Sequence, residues 1–322
     1  MAESSNARPL GVPLDRLRAA FARASPREPV PADARIDLAR PFLCPSVMPL
    51  QYTPSMKRLT KEQALRANQI TGLCFNELIT FFENTFAPAV LAAARRGTVA
   101  ADLSACLAHF LADEARHSAM FQRLNRRSAP EWYECSPFHL VRVPPGVRLL
   151  ATTLARHPAT FPAVLWMMLS LEEHSIEVSR RGGALPAGRL EGHWAAAYRA
   201  HLEDEVRHVQ VDWHLIERFH HGAGWRRRAN AWLVTLGIGR FLLAPSRSGA
   251  RVVAQLVAEF EELRPRAAEM VRELRQLDRS PEYQAMMYSR ETTPLTFALF
   301  DRFPEFQRMG RVLSAYRPER AS

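Results

Sequence analysis

Apolar positions recur every three to four residues through most of the chain, and period-two alternation is nearly absent, so the pattern predicts an all-α protein. Four long amphipathic helices stand out. The first covers 61–96, behind Thr60 as N-cap, and ends at the loop Arg95-Arg96-Gly97. The second opens at Thr98 or Asp102 and runs to about Leu124. A proline-rich connection over 128–146 leads to the third, about 162–181, which ends at Gly182-Gly183. The fourth covers about 190–220 and ends near Gly222 and Gly224. Two helical hairpins, each closed by a glycine-containing loop and joined by one longer crossover, make a four-helix bundle.

The flanks read differently. Residues 1–58 carry many prolines and little periodicity, which predicts an extended N-terminal arm with one short helix near 14–24. Residues 59–224 are the bundle. Residues 225–322 add helices over about 229–243 and 248–277 and a broken C-terminal segment, all packing on the bundle in one compact domain.

One repeat carries chemistry. Asp113-Glu114-Ala115-Arg116-His117 returns 91 positions later as Asp204-Glu205-Val206-Arg207-His208. Glu and His at i, i+3 share a helix face, so each copy points a carboxylate and an imidazole the same way. Chance supplies about one Glu-x-x-His in such a chain, but well under ~0.01 copies of the longer pattern. A third pair, Glu217/His220, has a different phase and reads as accident. Phe110, Glu114, His117 and Phe121 form one stripe on the second helix. On the fourth, His201, Glu205 and His208 stand at i, i+4, i+7. Phe110 occupies the place of His201 in the other copy, so a metal site built from both is asymmetric, with one extra nitrogen donor.

Such a site needs a carboxylate from each of the two remaining helices. On the third, Glu172 shares its face with Leu165, Met168, Leu169 and Ile176, and Glu173 lies with Trp166, Ser170, Glu177 and Arg180; the more apolar face favours Glu172 over Glu173. On the first, Glu83 lies 31 residues before Glu114, as Glu172 lies 33 before Glu205, whereas Glu77 stretches the first interval to 37. The spacing favours Glu83 over Glu77. Glu62, Glu177 and Glu203 read as surface residues. Asp113 and Asp204 are placed to accept the free imidazole N–H of a ligand histidine, and Arg116 and Arg207 to neutralise those aspartates. Exposed salt bridges would explain these four equally well.

Composition narrows the class little further. The formal charge is +10, nearly all of it arginine, since Lys57 and Lys61 are the only lysines. The arginines are scattered apart from Arg226-Arg227-Arg228, and no nucleic-acid fold signature accompanies them, so no nucleic-acid partner is expected. Cys44, Cys74, Cys106 and Cys135 stand far apart, which argues against a thiolate metal site or a disulfide scaffold. The opening 23 residues lack a signal-peptide core, and the most apolar run, 232–244, is too short to span a bilayer. A cytoplasmic protein without a membrane partner is expected.

The repeated Asp-Glu-x-Arg-His resembles the metal motif of ferritin-like di-iron oxidases and oxygenases. With His201 four residues before Glu205, residues 60–220 resemble the arylamine N-oxygenase family typified by p-aminobenzoate N-oxygenase, whose site has three histidines and four carboxylates. The resemblance implies a ferritin-like four-helix bundle in which Glu83, Glu114, His117, Glu172, His201, Glu205 and His208 hold two Fe ions, with Mn as an alternative. It implies O2 as co-substrate, oxidation of an aromatic or other amine, free or carrier-bound, to hydroxylamine or nitro compound, and electrons from a separate reductase or ferredoxin. No flavin or nicotinamide fingerprint occurs in the chain. An apolar lining of Phe82, Phe110, Phe121, Leu165 and Met168 would exclude water. A homodimer is compatible with this. The rival readings are a di-iron desaturase or carbon hydroxylase, against which only His201 speaks, and a ferroxidase.

Overall fold

Thr60 caps the first long helix with a reciprocal capping box: its hydroxyl accepts from the Gln63 backbone N–H, and the Gln63 side chain accepts from the Thr60 N–H. The computed structural model describes residues 11–25, 27–97, 100–243 and 245–317, and among them there are helices and connections but no strand. The α-helices are α1 (Leu14–Arg23), α2 (Lys61–Phe81), α3 (Ala87–Arg96), α4 (Ala101–Ser128), α5 (Pro145–Ala155), α6 (Ala163–Gly183), α7 (Gly192–Phe219), α8 (Gly224–Gly237), α9 (Ser246–Glu259), α10 (Ala267–Arg275), α11 (Pro281–Met287) and α12 (Pro294–Arg302). Thr98, one expected start of α4, lies outside the described residues.

Four helical columns form the bundle. α2 packs on α4, α4 on α7 and α7 on α6, while α3 reaches α6 and closes the ring. The remaining helices clothe it: α8 and α12 lie on α6, α9 on α2, and α10 on α9. α1 crosses α4 and α7 from outside, burying Leu17 and Phe21. The arm beyond it is a string of short 3-10 turns, Pro45–Val47, Pro49–Tyr52 and Pro54–Arg58, each opened by a proline whose missing N–H costs nothing there. Gly222, after α7, takes φ +98°, a left-handed turn that a side chain would resist.

Three expectations need correction. The first helix is interrupted: Phe82–Phe86 is a π-turn in which the Ala87 N–H donates to the Phe82 carbonyl, five residues back. Pro88 is the physical reason, because it has no N–H for an α bond and its ring crowds the carbonyl four residues earlier. The long helix expected over 248–277 breaks at Phe260 into α9, a 3-10 stretch holding Pro265, and α10. Finally, α5 fills most of the stretch between the proline-rich connection and α6, for which no element was expected; it is a short apolar helix with only Ala155 buried.

Candidate metal centre

Glu114 and His117 on α4 and Glu205 and His208 on α7 meet in the middle of the bundle, all 2 % exposed or less. His208 Nδ1 lies 3.5 Å from Glu114 and 3.3 Å from Glu205; His117 Nδ1 lies 3.4 Å from Glu205 and 3.9 Å from Glu114. Glu83 enters from the π-turn. Its carboxylate is 3.1 Å from His201 Nε2 and 3.7 Å from His117 Nδ1, and His201 Nε2 is 2.9 Å from Glu205. Two overlapping sets of donors result: Glu83, His117, His201 and Glu205, and Glu114, His117, Glu205 and His208. Glu172 on α6 is buried beside them, against Glu205, with one oxygen lacking a hydrogen-bond partner.

The two histidine types present different nitrogens. His117 and His208 turn Nδ1 inward and bind an aspartate through Nε2; His201 turns Nε2 inward and holds Nδ1 3.1 Å from the Ser175 hydroxyl. The aspartate bonds cross between helices. His117 on α4 lies 2.9 Å from Asp204 on α7, and His208 on α7 lies 3.3 Å from Asp113 on α4. Arg116 ties both aspartates, 2.7 Å from Asp113 and in contact with Asp204, and Arg207 pairs with Asp204 and stands 3.9 Å from Asp113. The two copies of the pentad therefore form one closed ring of two aspartates and two arginines, with one histidine held by each aspartate. Such hydrogen bonds fix which ring nitrogen is free.

The alternatives that the sequence left open have separate structural work. Glu77 accepts from the Tyr133 hydroxyl at 2.7 Å and from the backbone N–H groups of His139, Leu140 and Val141, at 3.0, 3.0 and 2.6 Å. Glu173 accepts the Leu295 and Thr296 N–H groups at 2.6 and 2.9 Å, capping α12. Each spends its carboxylate on backbone N–H groups of another chain segment. Glu177, expected at the surface, is 2 % exposed; its charge is neutralised by Arg180 and Arg181 on the next turn. Glu217 pairs with Arg302 and His220 packs among Trp166, Phe303 and Phe306, so that third motif shares no centre. The sequence reading omitted Ser175 and also Asp212, a fully buried carboxylate one turn past His208 on the same face. The available signals were the i, i+3 spacing of Ser175 from Glu172 and the i, i+4 spacing of Asp212 from His208.

Burial pushes Glu83, Glu114, Glu172 and Asp212 above the ordinary carboxylate range, and mutual repulsion adds to it. Glu205 goes the other way: burial alone would raise it, but His201 and His208 outweigh that and hold it well below. Burial would lower His201, yet Glu205 and Glu83 lift it to about 10. In the bare chain these groups stabilise one another only partly. Glu83 Oε2, both oxygens of Glu114 and of Glu205, Glu172 Oε1, and Nδ1 of His117 and His208 have no hydrogen-bond partner although buried. Orphaned acceptors cost free energy singly, and so many converging on one point fit a cation pair. Four glutamates also match the charge of two divalent ions. Hard carboxylate oxygens with borderline imidazoles suit iron or manganese.

Aromatic rings shield the centre. Phe110 stacks on His208 with centroids 3.8 Å apart, Phe121 meets His201 edge-on at 4.9 Å, and Phe21 of the arm lies 6.3 Å from His208. Leu165 and Met168 are fully buried, and Phe82 packs partly buried beside the core. Residues 14–295 match the family model of the p-aminobenzoate N-oxygenase AurF. The chain belongs to that family. A comparison with curated proteins finds no match. Members of the N-oxygenase family are di-iron oxidoreductases, and the buried Glu/His cluster of this member can hold two metal ions. No helix among the described residues is long and apolar enough to cross a membrane.

Proposed function

We propose that this N-oxygenase family member holds two iron ions with Glu83, Glu114, His117, Glu172, His201, Glu205 and His208 and oxidises an aromatic amine with O2. The convergence of unpartnered buried acceptors from α4, α6, α7 and the π-turn carries this reading. When bound, the metal pair would supply O2 activation and pass on the electrons of the reaction. The chain's own residues do the rest. Glu205 lies within 3.4 Å of all three histidines, so it is the side chain suited to serve both ions. Asp204 and Asp113 hold Nε2–H of His117 and His208 and leave Nδ1 free as a donor; Ser175 does the same for His201 in the opposite tautomer. Phe110, Phe121 and Phe21 exclude water, so that the oxidant is spent on the substrate. Electrons come from a separate redox protein, in keeping with the lack of a nucleotide fingerprint in the chain. The protein acts in the cytoplasm.

The test is metal analysis of the purified protein followed by anaerobic ferrous loading, reduction and exposure to O2 with p-aminobenzoate and related arylamines. Two irons per chain and formation of hydroxylamine or nitro product, seen by mass spectrometry with 18O2 label incorporated, are expected. Two bound irons without product from any arylamine would reject the substrate class. A chain that takes up no iron would reject the centre.

A further inference from the structure

Seven side chains, four of them carboxylates, make up the proposed centre, and a fifth buried carboxylate lies on the same helix stripe as three of the seven. His201, Glu205, His208 and Asp212 follow at i, i+4, i+7 and i+11, one stripe of α7. Asp212 is 0 % exposed, and neither of its oxygens has a hydrogen-bond partner. The charged groups that influence it are carboxylates, Glu205 and Glu173, and it in turn raises Glu114 and Glu172. Glu173 is occupied by the N-terminus of α12, which leaves the metal-centre glutamates as the groups Asp212 shares space with. Among the described residues, no arginine, lysine or histidine offsets it.

A carboxylate buried without donor or cation costs several kcal/mol. In the bare chain a proton removes that charge, whereas a cation would remove the cost and give both unpartnered oxygens a partner as well. Resting on the two-metal reading above, we propose that Asp212 is a further metal-holding residue of this centre, on its Glu114–His208 side, whose carboxylate strengthens binding of the ion pair.

Metal-free wild type, Asp212→Asn and Asp212→Val are titrated calorimetrically with Mn2+ in air and Fe2+ without oxygen, and melting temperatures are taken before and after loading. Asp212→Asn is expected to melt no lower than wild type when metal-free, because a repulsive buried acid is gone. It is expected to bind metal at least about tenfold more weakly and to gain less on loading. Asp212→Val, which removes charge and polarity together, should behave alike and carries the test if the asparagine variant does not fold. Metal affinity within twofold of wild type in a folded variant overturns the proposal, as does a metal-free Asp212→Asn that melts clearly lower, since that would reveal a protein partner. Wild type that binds no metal would overturn the two-metal reading, and this inference with it.

Discussion

His117 and His208 differ from His201 in which nitrogen they free, and this difference has a testable consequence. Asp204→Asn keeps the size of the side chain but cannot hold the His117 N–H as a carboxylate does. Metal affinity should fall by about 10- to 100-fold with little change in the fold, as measured by Mn2+ titration and circular dichroism. A second residue reports on proton linkage. His220 is 3 % exposed among Trp166, Phe303 and Phe306, and burial pushes its imidazole down to about 4. The unfolded chain protonates this group near its ordinary value of about 6.5, so it binds the extra proton first as pH falls. The contribution is complete above about pH 6.5 and is lost toward pH 4. His220→Gln should flatten that part of the pH–stability curve by on the order of 1–3 kcal/mol in chemical denaturation, and an unchanged slope would contradict the assignment.

Among the elements, the π-turn over Phe82–Phe86 decides where Glu83 points. One extra residue per turn rotates everything after it by about 100° relative to an uninterrupted helix, and π-turns recur at functional sites for that reason. Pro88→Ala restores the missing N–H and lets the segment relax to α geometry. Loss of one of the two metal ions, or at least a tenfold weaker one, is the expected result, with thermal stability kept or raised. Glu77 gives the opposite outcome. Its hydrogen bonds hold the segment 139–141, so Glu77→Gln should destabilise the fold by about 1.5–3 kcal/mol while two metals still bind. Equal metal loss in Glu77→Gln and Glu83→Gln would show that the two carboxylates do not divide these tasks.

Taken as one body, the bundle is built around a cluster of like charges that its polypeptide offsets only in part. A bound metal pair would therefore contribute to folding stability. At free metal 100-fold above Kd the linkage is about 2.7 kcal/mol, so a chelator should lower the melting temperature by several degrees and added Fe2+ or Mn2+ should restore it. The arm belongs to the same unit. Phe21 closes over His208 and lies under Arg207, whose guanidinium sits 5.3 Å from its ring. Removing residues 1–25 should leave the helical content near wild type but speed metal release to a chelator; an unaltered release rate would mean that the arm does not seal the centre.

Helix content, the two hairpins and the duplicated Asp-Glu-x-Arg-His were legible in the linear chain, because helical period and i, i+3 spacing are local properties that need no partner. Thr60 and the left-handed Gly222 were legible for the same reason: capping and turn chemistry act within a few residues. The expected helix over 61–96 ran straight through Pro88, and the rotation at the turn before it appears only once the helix is built. Spacing and face polarity favoured Glu83 over Glu77 and Glu172 over Glu173, but what occupies Glu77 and Glu173 could not be read from local pattern. It depends on which backbone N–H groups arrive from 139–141 and from 295–296, segments distant in sequence. The crossing of Asp113 to His208 and of Asp204 to His117 likewise exists only when α4 and α7 face each other. Local spacing names the groups able to bind a metal, and packing between distant segments determines which of them are left free to do so.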